Sequence, residues 1–183
     1  MRWHSLDTRR TDAAWTVVSK GERNMICENL EGTLDELNVS DRTVEYVEIE
    51  WHEAFKKIHR KKTDSGREVG IRMGDWVLKR GLQEGDVIYQ DDSLVIAVHT
   101  PPCEIIQIKI QAGHKKAAAK VCYEIWNRHA PLFYGKDEDS FVTPYNEPML
   151  EMLQKFHGVL VEKTVGQLDF HEKISASVHN HHH

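Results

Sequence analysis

The chain has 183 residues, with 24 Lys and Arg against 29 Asp and Glu, a formal charge of −5 and a mean hydropathy of −0.56. That length fits one domain or two small ones. No stretch approaches the ~18 apolar residues that span a bilayer, and the opening segment lacks the apolar run of a secretory signal, so the sequence predicts a cytoplasmic protein without a membrane partner.

Residues 1–24 hold Arg2, Arg9, Arg10, Lys20 and Arg23 against Asp7, Asp12 and Glu22, with no sustained periodicity. They are expected to form a disordered extension. From 44 to 51, Val47, Ile49 and Trp51 alternate with Glu48 and Glu50, the period-2 pattern of a half-buried strand. Strands over 58–62 and 68–73 flank Asp64-Ser65-Gly66, and strands over 86–90 and 94–99 flank Asp91-Asp92, so two hairpins are predicted. Residues 25–103 thus read as an all-β domain, a small sandwich or barrel. The domain's 16 acidic residues outnumber its 10 basic ones, and its one positive island, Lys56, Lys57, Arg60, Lys61 and Lys62, reads as a solvated strand face.

Pro101-Pro102 cannot continue a ladder and is expected to close this domain. Beyond it Ile105, Ile106, Ile108 and Ile110 mark a strand. Ala118, Val121, Cys122 and Ile125 then recur at i, i+3, i+4 and i+7, so an amphipathic helix is predicted over 114–128, with His129 next on the same face. Short strands near 132–134 and 141–143, a helix over 147–156 with Pro148 in its first turn and Gly158 beyond it, and a strand over 159–165 complete the segment. The order β-α-β-β-α-β is the ferredoxin-like arrangement. The fold class read from the chain is therefore α+β: an all-β domain at 25–103, a ferredoxin-like domain at 104–170, and a flexible histidine-rich tail at 171–183.

Chemistry enters through the 12 histidines. Cys27, Cys103 and Cys122 are odd in number and lack C-x-x-C spacing, which argues against a disulfide framework or a zinc ribbon. Neutral imidazole suits borderline metals, so clustered histidines point to metal binding. His171, His179, His181, His182 and His183 cluster at one end, while His4, His52, His59, His99, His114, His129 and His157 are scattered singly. The closing run could be a cloning tag or a solvated tail. Its interruption by Asn180 and the lack of a vector-like linker favour a native metal-binding tail. His52 and His59 read as surface residues. Asn127-Arg128-His129, at a helix end, reads either as a C-terminal cap complementing the helix dipole or as half of a metal site completed across a dimer twofold.

No G-x-S-x-G, H-E-x-x-H or phosphate-cradling glycine loop appears, and no carboxylate pair can be given acid and base roles, so no enzyme is predicted. An RNA-binding reading lacks both the aromatic-glycine-aromatic signature and a basic footprint, so no nucleic-acid partner is expected. A peptide-binding co-chaperone, its histidines incidental, remains the alternative.

Three spaced segments resemble a known family. These are Val44-Glu45-Tyr46-Val47-Glu48-Ile49-Glu50-Trp51, Gly81-Leu82-Gln83-Glu84-Gly85-Asp86-Val87-Ile88-Tyr89 and Cys122-Tyr123-Glu124-Ile125-Trp126-Asn127-Arg128-His129-Ala130-Pro131-Leu132. Together with the histidine tail they are similar, in order, to the UreE urease accessory proteins, from about Met25 to the C-terminus. Trp126 stands where that family's pattern has glycine. The resemblance implies a homodimeric nickel metallochaperone with a peptide-binding-like β domain and a ferredoxin-like metal-binding domain. It further implies that His129 is the interface ligand and His179 an extra tail ligand, with His181, His182 and His183 beside it. It implies transfer of Ni(II) to the urease apoprotein complex through the GTPase UreG. Zn(II) or Cu(II) would suit the same ligands.

Overall fold

A computed structural model describes residues 25–174. In chain order its strands and helices are β1 Met25–Cys27, β2 Gly32–Thr33, β3 Thr43–Glu48, β4 Ile58–Lys62, β5 Glu68–Arg72, α1 Val77–Arg80, β6 Asp86–Gln90 and β7 Leu94–His99. There follow β8 Cys103–Ile110, α2 Lys115–Trp126, β9 Phe133–Tyr134, β10 Ser140–Pro144, α3 Glu147–Leu153, β11 Val159–Gly166 and a 3-10 turn at Phe170–Glu172. The class is mixed α+β, mostly sheet. No helix among the described residues is long and apolar enough to cross a membrane.

The first segment builds two sheets, ordered β1-β5-β4 and β2-β6-β7-β3. Both expected hairpins are present as antiparallel pairs, β4 with β5 and β6 with β7. Two pairings are parallel, β1 with β5 and β3 with β7, so the chain crosses between distant strands. Strand β7 is central to its sheet and buried on both faces. Leu94, Ile96 and Val98 enter the main core, while Val95 and Ala97 pack with Val87 against Leu34, Leu37, Val39 and Val44. That two-sided burial explains its unbroken apolar run.

Several expectations for this segment need correction. It is not wholly β, because Val77–Arg80 forms a helical turn that buries Val77. Strand β3 stops at Glu48. The N–H groups of Glu53 and Ala54 donate to the Glu50 carbonyl at 2.9 and 3.1 Å, a turn that carries Ala54 into the core. His59 is buried, 6% exposed, with Nε2 3.0 Å from the Lys56 carbonyl oxygen. Burial pushes its imidazole below the ordinary pKa. The basic island is matched by carboxylates: Lys61 to Glu53 at 2.6 Å, Arg60 to Glu68 at 3.1 Å, and Lys57 to Asp75.

Two buried carboxylates of this segment are held by arginines. Glu45 accepts from Arg67 Nη2 at 2.9 Å and Nε at 3.1 Å, and from the Thr63 hydroxyl at 2.7 Å. Asp86 accepts from Arg80 Nη1 at 2.6 Å and Nη2 at 2.8 Å, and from the Gln83 N–H at 2.8 Å. Such paired, hydrogen-bonded burial is what charged groups require inside a fold.

The second segment runs β8-α2-β9-β10-α3-β11, with sheet order β11-β8-β10-β9, antiparallel throughout. Ile106, Ile108 and Ile110 face the helices and pack with Val121 and Ile125 of α2 and Met149 and Leu153 of α3. Asn146 caps α3, its side chain accepting from the Met149 N–H at 3.2 Å, with Pro148 in the first turn.

Pro101-Pro102 separates the sheets without separating the packing. Ile105, Phe133, Leu168 and Phe170 join the core of the first segment beside Val47, Ile49 and Val98. Gln167 Nε2 reaches back to Glu84 Oε2 and the Thr100 carbonyl, each at 2.9 Å. Residues 171–174, expected to open the tail, continue this packing. The Ile174 N–H donates to the Leu132 carbonyl at 2.9 Å, and Lys173 bridges to Phe133.

Candidate functional site

Helix α2 positions the candidate ligand. Its buried residues Val121 and Ile125 seat it on the sheet, which leaves Tyr123 and Trp126 outward, 64% and 50% exposed. The helix ends in a pair of reverse hydrogen bonds. The His129 N–H donates to the Trp126 carbonyl at 2.8 Å and the Ala130 N–H to the Ile125 carbonyl at 3.3 Å. These are the two bonds of a Schellman motif, and they put His129 at the position glycine usually takes. His129 has φ 54°, the sole positive φ of a non-glycine residue among those described. Left-handed backbone costs a non-glycine residue about 1–2 kcal/mol. Ile125 and Ala130, the two ends of the motif, both lie against the second core.

The cap chemistry at this end belongs to Arg128. Its Nη1 donates to the Glu124 carbonyl at 2.9 Å and to Glu124 Oε2 at 2.6 Å, satisfying a terminal carbonyl and the helix dipole together. The His129 side chain is exposed and has no hydrogen-bond partner among the described residues. Among the described residues neither ring nitrogen is engaged.

Of the expected ligands, His179, His181, His182 and His183 lie outside the described residues. Among the described residues no three His, Cys, Asp or Glu side chains gather closely enough to hold an ion. The cysteines are poor thiolate donors here: burial pushes Cys27 up to about 11 and also raises Cys103 and Cys122. His129 by itself supplies one donor of the four or more a transition metal takes.

Outside this helix end, the scattered histidines have separate structural settings. His99 Nδ1 lies 3.2 Å from Glu84 Oε1, and His59 is a buried residue of β4 itself. His114 and His157, distant in sequence, are brought ring to ring. No sequence periodicity signals that last pair, because it arises from the loops after β8 and before β11, at the same end of the β11-β8-β10-β9 sheet.

A β-rich unit sharing its core with a β-α-β-β-α-β unit, whose first helix ends on an exposed imidazole in a strained backbone, defines a mixed α+β class. Residues 26–100 match the family described as UreE urease accessory protein, N-terminal domain. The urease accessory protein UreE of Helicobacter pylori (strain G27) is 42% identical over 154 residues, covering 84% of this chain and 88% of that protein. UreE of Helicobacter acinonychis is 41% identical over 157 residues, covering 85% and 90%. UreE of Flavobacterium johnsoniae is 41% identical over 131 residues, covering 70% and 74%. The chain belongs to the UreE family of urease accessory proteins.

Proposed function

We propose that this chain serves urease maturation as a nickel-binding metallochaperone, delivering Ni(II) for assembly of the urease metallocentre in the cytoplasm. The observation that carries the reading is His129: an exposed imidazole with no hydrogen-bond partner among the described residues, held at φ 54° where glycine is the usual residue. Strain kept at one residue is characteristic of functional positions.

The founding site forms in a homodimer. A twofold axis beside the end of α2 brings two copies of His129 to one ion, and the exposed row Tyr123, Trp126 supplies apolar surface for the contact. Two imidazoles leave the metal open to water and to tail ligands. His179, with His181, His182 and His183, supplies further, exchangeable donors from the tail. Such an incomplete site can release its ion, which a closed structural site cannot. Zn(II) and Cu(II) compete for the same nitrogens, and the affinity order places Cu(II) above Ni(II), so selectivity rests on supply and partners. The partners are the GTPase UreG and the urease apoprotein complex. The accessory role requires no catalysis by the chain itself.

Nickel calorimetry on the full chain tests the reading. Removing residues 179–183 lowers stoichiometry or affinity and leaves one Ni(II) per dimer. Adding His129→Ala to the truncated chain removes that remaining ion. Retention of one Ni(II) per dimer at unchanged affinity in the combined variant would refute the assignment.

A further inference from the structure

The opposite end of α2 carries a second pair of imidazoles. His114 precedes the helix and His157 closes the turn after α3. Their ring centroids are 4.8 Å apart with an interplanar angle of 76°. We infer that His114 and His157 form a second divalent-metal site, separate from His129, that binds one ion per chain through two imidazole nitrogens.

Three features of the structure support this. The first is spacing. A metal–nitrogen bond of about 2.0–2.1 Å places each ring centre roughly 3.2 Å from the ion, so two imidazoles subtending about 90–109° have centres about 4.5–5.2 Å apart. The observed 4.8 Å falls within that interval.

The second is the orientation of His114. Its Nδ1 lies 3.2 Å from the Ala112 carbonyl oxygen, so Nδ1 carries the proton and donates, and Nε2 keeps its lone pair. A backbone carbonyl on the non-ligating nitrogen is the usual support of a metal-bound histidine. His157 has no hydrogen-bond partner among the described residues and is exposed, so its nitrogens are available.

The third is rigidity. The His114 ring rests on Gly158, where a Cβ would fall 2.3 Å from its Cγ. The two loops are tied together, with the Gln111 N–H donating to the Gly158 carbonyl at 2.9 Å and the His114 N–H to the Gln111 carbonyl at 3.0 Å. The His114 ring and the two loop backbones are therefore placed before any ion arrives, which limits the ordering cost of binding.

The site is independent of His129. The 12 residues of α2 rise about 18 Å at 1.5 Å each, too far for one ion to contact both ends. Its charge setting is unfavourable to a cation, since Lys115 and Lys116 flank His114, Lys155 precedes His157, and the helix N-terminus adds its dipole. With only two protein ligands, the remaining positions are water. Both facts make the site weak and exchangeable, and the affinity order makes Cu(II) the ion it holds best.

Cu(II) alone is the probe. The full chain is prepared with His129, His179, His181, His182 and His183 all changed to alanine, and titrated by equilibrium dialysis. This parent is expected to bind one Cu(II) per chain, with an electron-spin-resonance spectrum showing two coordinated imidazole nitrogens. His114→Ala or His157→Ala should each weaken binding at least tenfold and reduce the spectrum to one nitrogen. The double variant should lose the remaining imidazole nitrogen and bind more weakly than either single one, because both ligands serve the same ion. His157 is exposed, so His157→Ala tests the site without disturbing the packing of His114 on Gly158. Less than a threefold change in either single variant, or the same nitrogen count with and without His157, would overturn the assignment.

Discussion

The backbone N–H of Ala130 donates to the carbonyl of Ile125 at 3.3 Å, and this closure requires the left-handed backbone of His129, φ 54°, just before it. The helix therefore ends on a side chain where its geometry asks for none. Replacing His129 with glycine should raise the stability of the metal-free protein by about 1 kcal/mol while removing the ligand, whereas His129→Ala, which keeps a Cβ, gains nothing. Urea denaturation of the three proteins checks this. Equal stability of the glycine and alanine variants would show that the backbone at 129 carries no strain.

Trp126 stands beside that ligand, half exposed on a helix whose other face is buried. If α2 meets a second copy of itself, Trp126→Glu should shift the protein from dimer to monomer in sedimentation experiments, with its far-UV spectrum unchanged because the residue contributes little to the core. A dimer of undiminished affinity would place the interface elsewhere.

Glu45 provides an acid-sensitive contribution to stability. Hydrogen bonds from Arg67, assisted by Ser65 and Thr63, outweigh the opposing effect of burial and hold its pKa down to about 2. The unfolded carboxyl titrates near 4.3, so the contribution is complete above about pH 5 and is lost as pH falls toward 2. Glu45→Gln should cost about 1–3 kcal/mol at pH 7. It should also flatten the loss of stability between pH 5 and 2. A full acid limb in the variant, measured by denaturant titration at each pH, would assign that limb to other carboxylates.

Gly158 is restricted twice, by φ 78° and by the His114 ring lying where a Cβ would go. Gly158→Ala should cost about 2–4 kcal/mol, from left-handed strain plus displacement of the ring. In a His114→Gly background, which also removes the Cβ that would lie 2.5 Å away, the steric part vanishes, and the cost should fall to about 1–2 kcal/mol. Additive losses in this double-mutant cycle would mean that the two residues do not contact each other in solution.

Much of the local structure was legible in the chain. Alternation around Val47 located β3, the turn residues Asp64-Ser65-Gly66 and Asp91-Asp92 located both hairpins, and the spacing of Val121 and Ile125 identified the buried stripe of α2. These signals are local, because periodicity and turn chemistry act within a few residues. His129 was visible as an imidazole at a helix end for the same reason, and the mixed α+β class follows from the sum of such elements. What only the tertiary structure decided depends on partners far apart in sequence. The parallel pairing of β3 with β7, the burial of His59, and the entry of Ile105, Phe133 and Phe170 into the core of the first segment all belong here. So does the meeting of His114 with His157. The left-handed backbone of His129 stands between the two. The residues that form the motif are adjacent, but histidine accepts that conformation only because Ile125 and Ala130 are packed in the core and Arg128 is engaged by Glu124. The energy that offsets the strain comes from packing that no window of sequence contains.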